Sequence, residues 1–368
     1  MDTRLENRVR QHRKAEGFSQ RELAKLLGVS RQAIHAIESG SQVPSTSLGL
    51  RLARVFGCAV EDLFSLAADP GMRARLAPSP PGLAGGSRVA LGRVDGRLVA
   101  HRLAPLGLTA ADGILGEIDG DEGAVQPLAD IRQIDHNVLV AGCAPILGAL
   151  AHRVGQRFND ARLTWLRAGN GRALDLFSQG MVHVAGLHLP GENGHEDAAA
   201  AGQRAMPGRR LLVVNLTRWR QGLVVAAGNP LGIGSGADLL RSDVRVAQRE
   251  AGSGAQDLAV RLADAHGDRE LPSTGPRAIG HGDVARLVRT GSADVGIAIE
   301  AAALAEGLDF VPLTEERFDL IVPDALSRKA PVSRLLDAVD DPGFRTELSH
   351  LPGYDVSQSG QVTTVEAA

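Results

Sequence analysis

Residues 18–40 read FSQRELAKLLGVSRQAIHAIESG, and this stretch predicts two short helices joined by a tight turn. Ser19 is a typical helix N-cap, and Glu22 three residues later completes a capping box. Gly28 supplies the turn, and Ser30 caps the second helix. Apolar residues at helical spacing predict one buried face on each helix. They are Leu23, Ala24 and Leu27 in the first helix and Ala33, Ile34 and Ile37 in the second.

The remaining face of the second helix carries Arg31, Gln32 and His35. Such a pair of helices is a helix-turn-helix, whose second helix enters the DNA major groove, where Arg suits guanine and Gln suits adenine. Residues 4–66 resemble the phage-repressor-like (XRE) family. The resemblance implies double-stranded operator DNA as a partner. It also implies contacts from Gln20 to a phosphate, from Ser30 and Gln42 to the backbone, and from Arg31, Gln32 and His35 to base edges. Alternatively, His35 simply faces solvent.

The flanking sequence predicts three further helices, which complete an all-α five-helix bundle over residues 1–68. The first runs from about Arg4 to Lys14. The fourth follows a cap at Ser45 or Thr46, and the fifth begins with residues 60–64.

Charge is unevenly distributed along the 368 residues, which carry 40 Lys and Arg against 43 Asp and Glu, a net charge of −3. Residues 1–66 hold ten basic and seven acidic residues, so the remainder is acidic. A mildly basic head on an acidic body is consistent with DNA contact by the head alone. Because aromatic residues make up only 3% of the chain, stacking platforms for single-stranded nucleic acid are not expected.

The chain has two cysteines, Cys58 and Cys143, which lie too far apart for a disulfide framework or a zinc motif. We therefore predict no metal site and no cofactor. The charged N-terminus lacks the apolar core of a signal peptide, and no apolar run reaches the length of a membrane span. We expect a cytoplasmic protein with no membrane partner.

Two segments connect the head to the body of the chain. Residues 69–86 contain Pro70-Gly71, residues 78–82 (PSPPG) and Gly85-Gly86, which predict an irregular linker. Residues 87–135 predict a short β-rich connecting segment. It includes a hairpin of strands 88–94 and 97–101 that turns at Asp95-Gly96, and a second turn at residues 119–121.

From residue 136 the pattern alternates between strand and helix, which indicates an α/β fold. Three junctions have a buried strand, a turn of small residues and a helix start. Free backbone N–H groups at a helix start favour an anion, although a plain strand-to-helix turn has the same pattern. The junctions are Gly142-Cys143-Ala144, Gly169-Asn170-Gly171 and Gly252-Ser253-Gly254-Ala255.

Residues 136–350 resemble the periplasmic-binding-protein superfamily through RExGSG at 249–254, ADVG at 293–296 and DLIVP at 319–323. The branch they most resemble is a cytoplasmic, molybdate-binding-like domain behind an XRE head. The resemblance implies a type II fold with lobe 1 at about 136–225 and 318–350 and lobe 2 at about 228–315. The chain would cross near residues 224–229 and return near residues 311–318. Residues 351–368 are predicted to form a flexible tail.

The resemblance implies that a tetrahedral oxyanion, molybdate or tungstate, is held in the cleft by amides and hydroxyls without a formal positive charge. Cys143-Ala144 departs from the Ser pair that is common at the first junction, which leaves an organic ligand open. The matching positions are Cys143, Ala144, Asn170, Gly171, Ser253, Gly254 and Ala255.

Three further residues are cleft candidates. His281 follows Gly280 at a helix start, and His188 ends a strand, although either histidine could be a chance residue in a turn. Glu300 lies at a strand end that faces the cleft in the superfamily. Because a carboxylate repels an oxyanion, Glu300 is alternatively a cap for its own helix.

The sequence contains no GxSxG elbow and no GxxxxGK[ST] or GxGxxG phosphate loop. We therefore predict no catalytic residues and no enzyme activity. The hypothesis is a homodimeric, one-component transcription regulator that binds a near-palindromic operator and responds to a small anion. The alternatives are a sensor of an organic molecule, a body that only dimerises, and an enzyme body with a regulatory head, in which Cys143 would be the nucleophile.

Overall fold

The computed structural model of the protein describes residues 5–66, 72–79, 82–104, 109–190, 194–250, 252–265, 271 and 275–367. The chain divides into two compact units. The first consists of Met1–Ala74, Ala84–Ser87 and Gly113–Leu128, and the second of Arg75–Leu83, Arg88–Asp112 and Ala129–Ala368. Across the described residues, no helix is both long and apolar enough to cross a lipid bilayer.

The first unit contains the predicted bundle of five helices. Their shared core includes Leu23, Leu27, Ile34, Ile37 and Leu52, each at most 1% exposed. The helices are α1 (Val9–Ala15), α2 (Gln20–Leu27), α3 (Arg31–Glu38), α4 (Thr46–Phe56) and α5 (Val60–Leu63), and two short strands flank them, β1 (Leu5–Asn7) and β2 (Phe64–Leu66).

The predicted start of the first helix is wrong within the described residues. Leu5–Asn7 forms a strand that pairs antiparallel with Phe64–Leu66, and α1 begins only at Val9. The pairing supplies hydrogen-bond partners to the backbone at both ends of the bundle. The paired residues lie far apart in the sequence, so a short stretch of sequence does not predict the pairing. Arg4 lies outside the described residues.

The connecting region folds into five strands, which are β3 (Arg73–Leu76), β4 (Arg88–Val94), β5 (Arg97–Arg102), β6 (Gly113–Asp119) and β7 (Glu122–Pro127). The predicted hairpin is confirmed, and Asp95 and Gly96 have φ angles of 47° and 79°, as a type I′ turn requires. The turn between β6 and β7 is also confirmed.

One expectation for this region needs correction. Strand β3 lies inside the predicted linker and pairs in parallel with β5, although Pro70, Gly71, Pro80 and Pro81 lie outside the described residues. The β6–β7 hairpin belongs to the first unit and the β4–β5 hairpin to the second. Gly92 in β4 lies against the Leu139 side chain, where a Cβ atom would come within 2.8 Å.

The second unit is built on one sheet with the strand order β13-β12-β14-β11-β15-β10-β8-β9. Lobe 1 begins with α6 (Ile131–Asp135), β8 (Asn137–Gly142), α7 (Ile146–Arg157), β9 (Arg162–Arg167), α8 (Asn170–Ser178), β10 (Val184–Pro190) and α9 (Gly194–Ala205). After β11 (Leu211–Val225), lobe 2 contains a 3₁₀ helix (Gly236–Leu240), β12 (Val246–Arg249), α10 (Gly254–Asp264), β13 (Arg277–Ala278), α11 (His281–Arg289), β14 (Val295–Ile299) and α12 (Glu300–Ala305). Strand β15 (Asp309–Pro323) returns to lobe 1, which ends with α13 (Asp324–Ser327), α14 (Ala330–Val339), α15 (Pro342–Ser349), β16 (Tyr354–Asp355) and β17 (Val362–Val365).

Each lobe has three parallel strands followed by an antiparallel one. In lobe 1, β8 pairs in parallel with β9 and β10, and β10 pairs antiparallel with β15. In lobe 2, β12 pairs in parallel with β13 and β14, and β14 pairs antiparallel with β11. Every residue of β8 is buried, as expected for a parallel strand covered on both faces. Helices therefore start at the carboxyl ends of these strands.

The lobes are joined by β11 and β15, which run antiparallel to each other as continuous strands of 15 residues each. Residues 211–214 of β11 pair with β17, whereas residues 221–225 pair with β14 of lobe 2. The chain therefore crosses before residue 221, and the predicted crossing at residues 224–229 is too late. Residues 316–321 of β15 pair with β10, so the return lies within the predicted range.

The predicted flexible tail is also wrong over its described part. Strands β16 and β17 both pair antiparallel with β11. The Thr217 hydroxyl donates to the Asp355 carbonyl over 3.1 Å, and the Ser359 hydroxyl donates to the Leu216 carbonyl over 2.7 Å. The tail therefore covers the edge of a hinge strand and satisfies its hydrogen bonds.

Candidate functional site

The helix-turn-helix forms as its caps predict. The Ser19 hydroxyl accepts from the Glu22 backbone N–H, and the Glu22 carboxylate accepts from the Ser19 N–H over 2.7 Å. Gly28 has a φ of 62°, the left-handed conformation that ends α2. The Ser30 hydroxyl accepts from the Ala33 N–H and caps α3.

The six predicted DNA-contacting residues lie at the surface or partly exposed in the first unit. Arg31, Gln32, His35, Ser30 and Gln42 are exposed. Gln20 is half-buried, and its side-chain amide donates to Glu38 over 2.9 Å; Glu38 also pairs with Arg13. The phosphate contact of Gln20 and the other DNA contacts remain predictions.

The first cleft junction places its two residues differently. Cys143 is partly exposed and lines a cavity of about 220 Å³ between the lobes. Ala144 is fully buried in the lobe 1 core, so its side chain does not reach a ligand. A contact from the Ala144 backbone amide to a ligand stays a prediction.

The second junction forms hydrogen bonds with the neighbouring strand β10. The Asn170 amide donates to the His188 carbonyl over 2.7 Å, and its oxygen accepts from the His188 N–H over 3.1 Å. The Gly171 N–H donates to the Gly252 carbonyl of lobe 2 over 3.1 Å. Both groups are occupied by protein partners, which corrects the expectation that they are free to bind an anion.

The third junction is also occupied by contacts within the chain. The Ser253 hydroxyl caps α10 by accepting from the Gln256 N–H over 3.3 Å. Gly254 lies against the His188 ring so closely that a Cβ atom would overlap it. Ala255 is buried in the lobe 2 core, and a ligand contact from its backbone amide stays a prediction. The second and third junctions touch, so the cleft is closed.

Closure brings together three side chains that are distant in sequence. Cys143 follows β8, His188 lies in β10, and His281 begins α11 of lobe 2. One ligand atom from each lies within 4.8 Å of the others. His188 and His281 are 2% and 1% exposed. All three residues were predicted ligand contacts, but a metal site was not predicted.

Glu316 holds His188 in one orientation. Its Oε2 atom lies 2.5 Å from Nδ1 of His188, and both side chains are 1% exposed. Trp219 also donates its indole N–H to the same oxygen over 3.5 Å. By contrast, neither ring nitrogen of His281 has a hydrogen-bond partner among the described residues.

The surroundings of the two histidines shift their pKa values in opposite directions. Burial alone lowers the pKa of His188, but the neighbouring Cys143 and Glu316 outweigh it and raise that pKa well above 6.5. Burial, followed by the charges of Arg249 and His188, holds the pKa of His281 well below 6.5. A lowered pKa favours the neutral imidazole of His281. Burial also raises the pKa of the nearby Tyr354 hydroxyl.

Three arginines that were not predicted to contact the ligand line the same cavity. They are Arg167 at the end of β9, Arg249 at the end of β12 and Arg286 in α11. The Arg249 side chain is 3% exposed and pairs with Glu250 over 3.1 Å, but its NH1 group has no partner among the described residues. Arg286 pairs with Asp283, which also lines the cavity. The cavity lining thus carries formal positive charge, which the resemblance did not imply.

Arg167 has no ion pair with any described residue. Its guanidinium lies 4.9 Å from the centroid of the Trp165 ring, a cation–π contact. A sequence signal was present, because Arg167 and Arg249 stand just before the second and third junctions. Residues at the carboxyl ends of strands are where α/β folds place ligand contacts.

Glu300 is not among the residues that line the cavity. It begins α12 and forms an ion pair with Arg220 of the hinge strand over 2.7 Å. A Cβ atom at Gly353 would come within 2.5 Å of its carboxylate. Glu300 therefore stabilises the hinge and the C-terminal segment, and its prediction as a cleft residue is wrong.

Comparisons with known families match two regions of the chain. A helix-turn-helix model covers residues 9–63, and the PBP superfamily domain covers residues 151–340, which is over half of the chain. Within the curated proteins, the uncharacterised protein YvgK of Bacillus subtilis is 28% identical over 237 residues, which are 61% of this chain and 73% of that protein.

Short relatives match the head alone. An uncharacterised HTH-type transcriptional regulator of Methanothermobacter thermautotrophicus is 47% identical over 62 residues, covering 17% of this chain and 90% of its own. Among solved structures, a phosphate ABC transporter substrate-binding protein of Clostridium perfringens is 14% identical with a TM-score of 0.44, covering 58% of this chain and 96% of its own. The chain belongs to the PBP superfamily and carries an XRE-type helix-turn-helix domain at its N-terminus.

Proposed function

We propose that this protein is a one-component transcription regulator. It binds double-stranded operator DNA as a homodimer in the cytoplasm and senses a small oxyanion, molybdate or tungstate, in the cleft of its C-terminal domain. It performs no catalysis in this role. The observation that carries the anion half is the buried Arg249 guanidinium, which lines the cavity with one unpartnered NH1 group.

The DNA half rests on the exposed side chains of α3. Arg31 and Gln32 occupy its first turn, and His35 lies one turn further along. In a helix-turn-helix the first turns of the recognition helix reach base edges. Homodimerisation presents two such helices to a near-palindromic site. These residues do not define the operator sequence, which is determined by selecting bound DNA from a random pool.

The anion half rests on charge. A buried guanidinium donor without an acceptor costs about 1–3 kcal/mol, which an anion in the cavity would offset. Glu250 and Asp283 neutralise Arg249 and Arg286 in part, whereas Arg167 has no ion pair with any described residue. The cavity therefore presents a net positive lining to a ligand.

Size favours a small ligand. The cavity volume of about 220 Å³ falls below the range of about 300–1,000 Å³ that drug-sized ligands occupy. A tetrahedral oxyanion fits within this space together with a few water molecules, and guanidinium groups bind such oxygens in bidentate geometry.

Thermal unfolding and Trp165 fluorescence test the anion site. Trp165 lines the cavity, so a bound anion should change its emission. Molybdate, tungstate, sulfate and phosphate are titrated into the full-length protein; a ligand at 100 times its dissociation constant adds about 2.7 kcal/mol to stability. We expect saturable shifts with molybdate and tungstate that exceed those with sulfate and phosphate.

The matched variants are Arg249→Gln, which removes the unpartnered donor, and Arg261→Gln, which removes an exposed arginine on α10 of the same lobe. The first should abolish the molybdate response and the second should retain it. A molybdate response of equal size in both variants, or no response to any oxyanion in the wild type, contradicts the proposed ligand.

A further inference from the structure

We propose that Cys143, His188 and His281 form a binding site for a transition-metal ion of the zinc class. The site takes one thiolate and two imidazoles from the protein, and its fourth position opens into the cavity. This proposal does not depend on the anion or the DNA, because it is tested by metal binding itself.

The donor set matches the chemistry of such an ion. Thiolate and imidazole are ligands for zinc and related borderline metals, whereas calcium and magnesium require oxygen ligands. Tetrahedral zinc with bonds of about 2.0–2.3 Å separates its ligand atoms by about 3.5 Å. The ligand atoms here lie within 4.8 Å of one another, so shifts of about 1 Å in the side chains bring them to this geometry.

Glu316 supplies the outer contact that a metal-binding histidine needs. Its carboxylate lies 2.5 Å from Nδ1 of His188, which leaves Nε2 as the nitrogen that can bind a metal ion. A carboxylate behind a histidine fixes the tautomer and raises the basicity of the nitrogen that faces the metal. Glu316 is therefore a positioning residue for the site.

His281 provides an independent observation. Its ring is 1% exposed, yet neither nitrogen has a hydrogen-bond partner among the described residues. Buried polar groups are normally satisfied, so two unpartnered nitrogens on one ring call for a missing partner. A metal ion bound to one of these nitrogens supplies it.

The site forms only when the two lobes close, because each lobe supplies part of it. Cys143 and His188 belong to lobe 1, and His281 belongs to lobe 2. A bound ion would therefore link the two lobes. Because Cys143 and His281 also line the cavity, water or an anion from the cavity completes the coordination.

The test uses full-length protein freed of metal by a chelator and titrated with Co²⁺ and Zn²⁺. Cobalt reports the ligands directly, because one thiolate produces a sulfur-to-metal charge-transfer band and tetrahedral geometry produces intense visible bands. We expect one equivalent of cobalt with both features, displaced by one equivalent of zinc.

Variants identify the ligands. Cys143→Ser should abolish the charge-transfer band, and His281→Gln should abolish tight binding. Glu316→Gln should weaken zinc binding about 10–100-fold while the ligands remain. Cys58→Ser in the head and His350→Gln on the exposed surface are the matched controls and should bind as the wild type does.

Circular dichroism confirms that each variant folds. Stoichiometric binding that is lost with Cys143→Ser and kept with Cys58→Ser supports the site. Absence of the charge-transfer band in the wild type, or equal zinc affinity in wild type and Cys143→Ser, overturns it.

Discussion

The Nδ1 atom of His188 lies 2.5 Å from the Oε2 atom of Glu316, and both side chains are 1% exposed. The pair joins β10 to β15 at the point where the hinge strand enters lobe 1. Glu316 also accepts the indole N–H of Trp219. One carboxylate therefore orients two aromatic side chains at the base of the cleft.

Removing this carboxylate should destabilise lobe 1. Glu316→Ala leaves buried His188 and Trp219 donors without an acceptor, which costs about 1–3 kcal/mol for each unsatisfied group. Glu316→Gln retains an acceptor oxygen and should cost less. Urea unfolding monitored by circular dichroism measures both, and an Ala variant as stable as the Gln variant would show that the pair does not support the fold.

Stability should fall with acid through His101 and His183. Burial is the main cause that lowers the pKa of each to about 4. The His183 Nδ1 atom accepts from the Leu139 N–H over 2.9 Å, which requires the neutral ring. In the unfolded chain both titrate near 6.5, so the unfolded state takes up these protons first as the pH falls.

The contribution is therefore complete above pH 6.5 and is lost progressively between 6.5 and about 4. The cumulative loss reaches about 1.4 kcal/mol for each histidine at pH 5.5. Urea unfolding at pH 7.5 and 5.5 measures the slope. His183→Asn removes one titrating group and should make the slope smaller; an unchanged slope would mean that His183 does not protonate on unfolding.

Gly254→Ala should hold the cleft open. The added Cβ atom would overlap the His188 ring only when the lobes are closed, because Gly254 belongs to lobe 2 and His188 to lobe 1. We expect weaker ligand binding and a larger radius of gyration by small-angle X-ray scattering. Gly155→Ala, a helical position with no atom within 4 Å of the added Cβ, is the control. Identical scattering and affinity in both variants would argue against closure at this contact.

Arg31→Ala and Gln32→Ala should each weaken operator binding by about 1–3 kcal/mol, because both side chains are exposed at the start of the recognition helix. Their thermal midpoints should match that of the wild type. Arg54→Ala removes an equal charge from the exposed face of α4 and serves as the control. Fluorescence anisotropy with DNA selected from a random pool measures the affinities. Equal losses in Arg31→Ala and Arg54→Ala would indicate a general charge effect.

Local patterns predicted the helix-turn-helix of the head and the order of strands and helices in the body well. Ser19, Glu22 and Gly28 determine the ends of α2 through contacts within a few residues, so the helix-turn-helix could be derived from a short window. The Asp95-Gly96 turn was predictable for the same reason. The alternation of strands and helices predicted an α/β body, and the PBP superfamily was predicted from the resemblance of residues 249–254, 293–296 and 319–323.

Long-range contacts account for the differences. Strand β1 forms because residues 64–66 return beside it, and β17 forms because β11 offers a free edge. Because β11 and β15 contain polar residues, the sequence pattern did not indicate that each is one continuous strand. Cys143, His188 and His281 meet only when two lobes close, so no spacing along the chain could indicate their cluster.

The most direct test of a regulator that senses an anion is the affinity of the full-length protein for its selected operator with and without saturating molybdate. If molybdate binds one arrangement of the protein more tightly than the other, the dissociation constant for the operator changes by about 5–150-fold. The account predicts such a change in the wild type and its loss in Arg249→Gln. Equal operator affinities with and without molybdate, under conditions where Trp165 reports bound molybdate, would contradict it.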